Sequence, residues 1–185
     1  MPVKKNLIAI KGKKMKQTLS MYNASVPVFK QMLTALNAIL DKAQAHNDSH
    51  SLSPETLLQA SLYPDMFNFI RQVQIAADFA KGVTARLADI EVPAYEDNET
   101  SFLELKARIE KTLLFISSIK SEQINGSEEK EIITRPGTPK EKKFTGQSYL
   151  LHYGIPQFFF HVATAYDILR NQGVEVGKRD YMGAF

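Results

Sequence analysis

Residues 150–173, LLHYGIPQFFFHVATAYDILRNQG, read as one long apolar helix, capped at its start by Thr145 and stopped by Gly173. Three successive phenylalanines, Phe158 to Phe160, cover more than half its circumference. A helix apolar nearly all round is buried nearly all round. Its outer side, with Phe159, Tyr166 and Arg170, must therefore meet a hairpin, the C-terminal tail or a second subunit. Pro156 cannot donate a hydrogen bond to the carbonyl of His152, so a kink or bulge is predicted there.

Three more helices precede it. The first spans about Val26 to His46, with Pro27 in its first turn and Phe29, Leu33, Leu36, Leu40 and Ala43 on one stripe. A short helix follows Ser53-Pro54. The second long helix spans about Met66 to Asp89, with Phe69, Val73, Ala76, Ala80, Val83 and Leu87 inward. The third spans about Ser101 to Lys120, where Ser101 and Glu104 form a capping box. EIIT and KKFT flank RPGTPK, the pattern of a small β-hairpin. The tail VEVGKRDYMGAF carries no regular pattern. Four amphipathic helices without β-α alternation predict an all-α four-helix bundle, with long connections from the first helix to the second and from the third to the fourth.

Composition narrows the function classes. No apolar run approaches the ~20 residues of a membrane helix, so no membrane partner is expected. The chain has no cysteine, which excludes disulfides and thiolate chemistry and fits a cytoplasmic protein. Its net charge of +3 arises at one end. Residues 1–18 hold six lysines and no acid; beyond them, 17 basic residues face 20 acidic ones, a net of −3. A lysine arm can bind nucleic acid. This one lacks arginine, aromatic residues and any motif, so nucleic acid is not the expected partner. Residues 1–18 read as a solvated tail or a mis-called start, with Met15 or Met21 as the true first residue, and 19–185 read as a single bundle domain.

The four histidines define the candidate site. His46 and His50 fall in the polar stretch AHNDSHS, read as loop. His152 and His161 lie nine residues apart, about 180° around an unbroken helix. One extra residue in a bulge would reduce this to about 80°. Gln157 sits one turn below His161, on the inner face. From the second helix Gln72 and Phe79 flank the interior, whereas Asp78 is expected to face solvent with Gln74 and Lys81. The inner polar set is therefore His161, Gln157 and Gln72, with Tyr22 as a further member. Two carboxamides and one imidazole suit zinc or nickel poorly. A buried histidine hydrogen-bonded to a glutamine is the simpler reading.

The segments SMYNASVPVF, PDMFNFIRQVQIAADFAKGVTARLA, VPAYEDNETSF, FTGQSYLLHYGIPQFFFHVATAYDILRNQGV and GKRDYMG resemble the bacterial domain-of-unknown-function family numbered nineteen ninety-three. That family is grouped with the DinB/YfiT-like superfamily of metalloenzymes. The resemblance implies a four-helix bundle, often dimeric, with a divalent ion held by three histidines, one from helix two and two from an H-x-x-x-H motif on helix four. In this chain His161 matches the second histidine of that motif, Gln157 stands at the first, and helix two has no histidine. The expectation is a DinB-like bundle with a degenerate metal site, serving as a small-ligand-binding or structural protein and forming a homodimer through helix four. No cofactor is expected; His161 and His152 are the weak candidates for zinc or nickel. The alternative is a metal-dependent small-molecule transferase or hydrolase that uses His161.

Overall fold

The computed structural model describes residues 19–184, so the lysine-rich start lies outside the described residues. Helix α1 (Val26–Ser49) is followed by the short α2 (Pro54–Leu58), α3 (Phe69–Leu87), α4 (Phe102–Ser118) and the single turn α5 (Ser121–Ile124). Strands β1 (Glu131–Thr134) and β2 (Lys142–Thr145) then form an antiparallel hairpin in which Ile132 faces Phe144. A composite helix follows: α6 (Gly146–Ser148), a π-helical segment (Tyr149–Gly154) and α7 (Ile155–Asn171). Helix α8 (Lys178–Met182) closes the chain.

The predicted stripes become the core. Phe29, Leu33, Leu36, Leu40 and Ala43 of α1 are fully buried, as are Phe69, Val73, Ala76, Ala80 and Val83 of α3. Helix α3 packs on α7 and α4, and α1 packs on α4 and α7, so the four long helices stand in a ring. Phe29 meets Phe158 edge-on across α1 and α7, with ring centroids 4.8 Å apart. In this ring the steps from α1 to α3 and from α4 to α7 join diagonal corners. That is why those two connections are long and carry α2 and the hairpin.

Caps set the helix ends. Asn68 accepts a hydrogen bond from the Arg71 N–H, which starts α3 at Phe69, three residues beyond the expected Met66. Ser101 accepts from the Glu104 N–H, while the Glu104 carboxylate reaches back to Thr100. Thr145 accepts from the Ser148 N–H and begins the composite helix. Gly173, in the left-handed region at φ 85°, ends α7, and the Val174 N–H returns to the Leu169 carbonyl.

Proline 156 produces the bulge. Its ring leaves the His152 carbonyl without the usual partner, and the backbone answers with i→i+5 bonding: the Ile155 N–H reaches Leu150 O. Gly154 closes this turn against α3. A Cβ there would lie 2.6 Å from Val83 Cγ2, so only glycine lets the two helices approach this closely.

Three expectations need correction. His46 is helical, because α1 continues to Ser49, and His50 caps it; the two rings stack with centroids 4.1 Å apart. The buried side chain of Asn47 donates to Leu52 O and holds this end down. The tail is not irregular: α8 packs on α1, and Tyr181 meets Tyr166 of α7 edge-on. Gln74 and Lys81 do not face solvent. They are 3% and 5% exposed, because the chain from Glu91 to Thr100 crosses this side of α3.

Candidate functional site

Helices α3 and α7 place His161 and Gln72 against one another. His161 is 6% exposed, and its Nδ1 lies 2.7 Å from Gln72 Oε1. The Gln72 amide nitrogen donates to the Phe67 carbonyl at 3.1 Å, which directs its oxygen at the imidazole. Nδ1 of His161 therefore carries the proton and donates, leaving Nε2 as the lone-pair nitrogen. Phe79 stacks on the ring, with centroids 6.0 Å apart and planes 15° from parallel. Burial, and next the positive charge of Arg71, lower the pKa of His161 to about 4. The ring is neutral near pH 7 and too weakly basic to take up a proton there.

Beside this pair opens a cleft of about 540 Å³ between α3, the π-helical segment, α7 and the hairpin. Gln157 and His161 line it from α7, and Tyr149 and Tyr153 from the π-helical segment. From α3 come Arg71, Asp78, Phe79 and Arg86, and from the hairpin Thr134, Arg135 and Lys142. Phe144 of β2 packs on Tyr149 and Tyr153, at 5.6 and 5.1 Å between ring centroids, and so seats the hairpin on the composite helix. Buried Tyr149 accepts a hydrogen bond from Arg86 Nη1 at 3.1 Å. Desolvation raises the pKa of its phenol despite the opposing pull of Arg86.

The remaining candidates lie elsewhere. His152 is exposed and lines a neighbouring depression with Pro156, Gln157 and Phe160. Tyr22 is not part of the cleft wall; its backbone N–H donates to Asn125. Asp78 does line the cleft, with one carboxylate oxygen 2.8 Å from Arg108 Nη2 and 3.0 Å from Lys81 Nζ. A second depression, of about 560 Å³ beside the α2–α3 connection, has Arg71 as its cation, and that side chain is paired with Asp97.

The donors present do not fit a three-histidine site. His161 is the only histidine on the cleft wall, position 157 offers a carboxamide, and α3 has no histidine. Among the described residues no three His, Cys, Asp or Glu side chains come together to hold a metal ion. None of the described helices is long and apolar enough to cross a membrane.

Sequence reasoning missed Arg86, Arg135, Lys142, Tyr149 and Tyr153. A signal existed for Arg86: Gln72, Phe79 and Arg86 are spaced by seven, which puts them on one stripe of α3. The hairpin's approach to the cleft is a long-range contact with no local signature.

Comparisons with known proteins agree with this architecture. The chain is similar to a crystal structure of a DinB family member protein from Shewanella denitrificans, with a TM-score of 0.83 and 40% identity, covering 89% of this chain and 92% of that one. No curated protein matches the sequence. Residues 21–182 match the family described as a domain of unknown function, DUF1993. The fold, the ring of helices and this match over nearly the whole described chain lead to one assignment: the chain belongs to the DUF1993 family and carries a DinB-like four-helix bundle.

Proposed function

We propose that the protein is a cytoplasmic small-ligand-binding bundle in which the metal site of its superfamily has degenerated to a hydrogen-bonded imidazole. The observation that carries this reading is the 2.7 Å contact between His161 and Gln72. The ring's proton is committed to a carboxamide, and its neighbour along α7 is the carboxamide of Gln157. The cleft beside it, about 540 Å³, has the size of small-molecule sites.

One observation favours a second reading, a metal-dependent transferase or hydrolase using His161. Metal-bound histidines also donate their other ring N–H to an oxygen, and here Nε2 keeps its lone pair. Elemental analysis of purified protein and of His161→Ala separates the two. The first reading expects no stoichiometric zinc or nickel in either protein, and a variant destabilised by about 1–3 kcal/mol because Gln72 is left buried without its partner. Stoichiometric metal that is lost in His161→Ala overturns it in favour of the second.

The proposal includes a homodimer through α7. Its Tyr166 end is covered by α8, while Phe160 remains 55% exposed. Light scattering that gave a monomer at high concentration would remove this part.

A further inference from the structure

Ion pairs hold six of the 17 cations beyond residue 18. Lys42 pairs with Asp180, Arg71 with Asp97, Lys106 with Asp41 and Lys130 with Asp89. Lys81 shares Asp78 with Arg108, which also holds Asp97 and Glu99. Three cations on the wall of the His161 cleft stand outside this pattern. Arg86 of α3 and Arg135 and Lys142 of the hairpin pair with no carboxylate among the described residues. The acid that faces the same cleft, Asp78, already serves two cations. In a domain that carries a net −3 beyond residue 18, this is a local reversal of sign.

Two of the three, Arg86 and Lys142, are also held in place. Arg86 Nη1 is fixed by the Tyr149 hydroxyl and the Gly82 carbonyl, each at 3.1 Å, which leaves its other guanidinium N–H groups without an acceptor among the described residues. Arg135 sits in the left-handed region at φ 50°, a costly conformation for a residue with a side chain, at the point where β1 turns beside the cleft. Lys142 Nζ lies over the Tyr153 ring, 5.4 Å from its centroid. Between the cations, Phe79 and Tyr153 meet edge-on and give the cleft an aromatic floor.

We infer that the cleft binds a small organic oxyanion, a phosphate or carboxylate carried on an apolar or aromatic body, with Arg86, Arg135 and Lys142 holding the charged group and Phe79 and Tyr153 the body. Guanidinium groups fork onto such oxyanions. The inference rests on the small-ligand reading given above and names the class of ligand.

The test titrates phenyl phosphate, phenol and benzylamine into the full chain, with chemical-shift perturbation and thermal shift as readouts. Phenyl phosphate is expected to bind at the cleft with a Kd on the order of 1 mM, and phenol about tenfold more weakly. Benzylamine is expected not to bind. Arg135→Gly and Arg86→Met should each weaken phenyl phosphate about tenfold while leaving phenol unchanged. Gly82→Ala serves as the variant that keeps every charge. Its new Cβ would lie 2.7 Å from Arg86 Nη1, so the guanidinium must move while the helix backbone gains a better former. It should fold at least as well as the parent and still bind phenyl phosphate more weakly. If phenol binds as tightly as phenyl phosphate, the charge assignment is overturned while the small-ligand reading stands. If phenyl phosphate leaves the cleft resonances unmoved at about 10 mM, or binds undiminished in all three variants, the inference is overturned.

Discussion

The two flanks of α3 handle positive charge in opposite ways. On the α4 side, Arg108 is 4% exposed and bonds Glu99 and Asp78 at 2.8 Å and Asp97 at 2.9 Å. Burial alone would lower its pKa, but the three carboxylates outweigh that and raise it. Tyr95 lies in the same cluster, with Lys81 Nζ 3.7 Å from its ring centroid. On the hairpin side, Arg86 and Lys142 have aromatic neighbours, and neither they nor Arg135 pair with a carboxylate among the described residues. The first flank works as a staple for the 91–100 segment. The second is prepared for an anion from outside. A charged side chain thus says little about function until its partners are known.

The contrast can be broken from its paired side first. Arg108→Met should destabilise the fold by about 3 kcal/mol, the lower end of the range for breaking a buried ion cluster, because Lys81 and Arg71 still reach two of the three carboxylates. Urea unfolding of the variant measures this. A loss below about 0.5 kcal/mol would mean that the cluster is no staple.

The acid limb of stability comes next. His161 titrates near 6.5 when unfolded and near 4 when folded. Between those values the unfolded chain binds the extra proton, so stability is full above pH 6.5, falls as pH drops toward 4, and then levels. The total loss is on the order of 3 kcal/mol. His161→Asn, which keeps a donor toward Gln72, should show a flatter profile over that window. Equal slopes in parent and variant would remove His161 as the cause.

The smallest effect sharpens the unpaired side. Arg135→Gly relieves the left-handed strain at φ 50° and should raise stability by roughly 1 kcal/mol, while weakening phenyl phosphate as described above. A variant that lost stability instead would show that Arg135 is held by contacts within the protein.

Much of this molecule could be read from local pattern. The helical stripes, the Ser101 and Thr145 caps, the EIIT and KKFT strands and the disruption at Pro156 all follow from spacing and backbone chemistry within a few residues. The pairing of His161 with Gln72 follows from two helical wheels laid face to face. Gln74 and Lys81 were misread because their cover is a distant loop, and a wheel shows only which residues share a side. The cleft cations escaped for the same reason: Arg86 meets Arg135 only after the diagonal connection from α4 to α7 brings the hairpin back across the bundle. Helix α8 is five residues long, too short for periodicity to register.

The π-helical segment has an effect on how the parts of the molecule can vary. Because it inserts one residue ahead of Pro156, the angular position of everything upstream is set independently of the core positions that follow. Removing a single residue between Tyr149 and Gly154 would swing Tyr149 and the attached hairpin by about 100° around the axis, with Phe158, His161 and Ala165 left in place. The rim of the bundle can therefore be re-aimed by a one-codon change that its interior does not register.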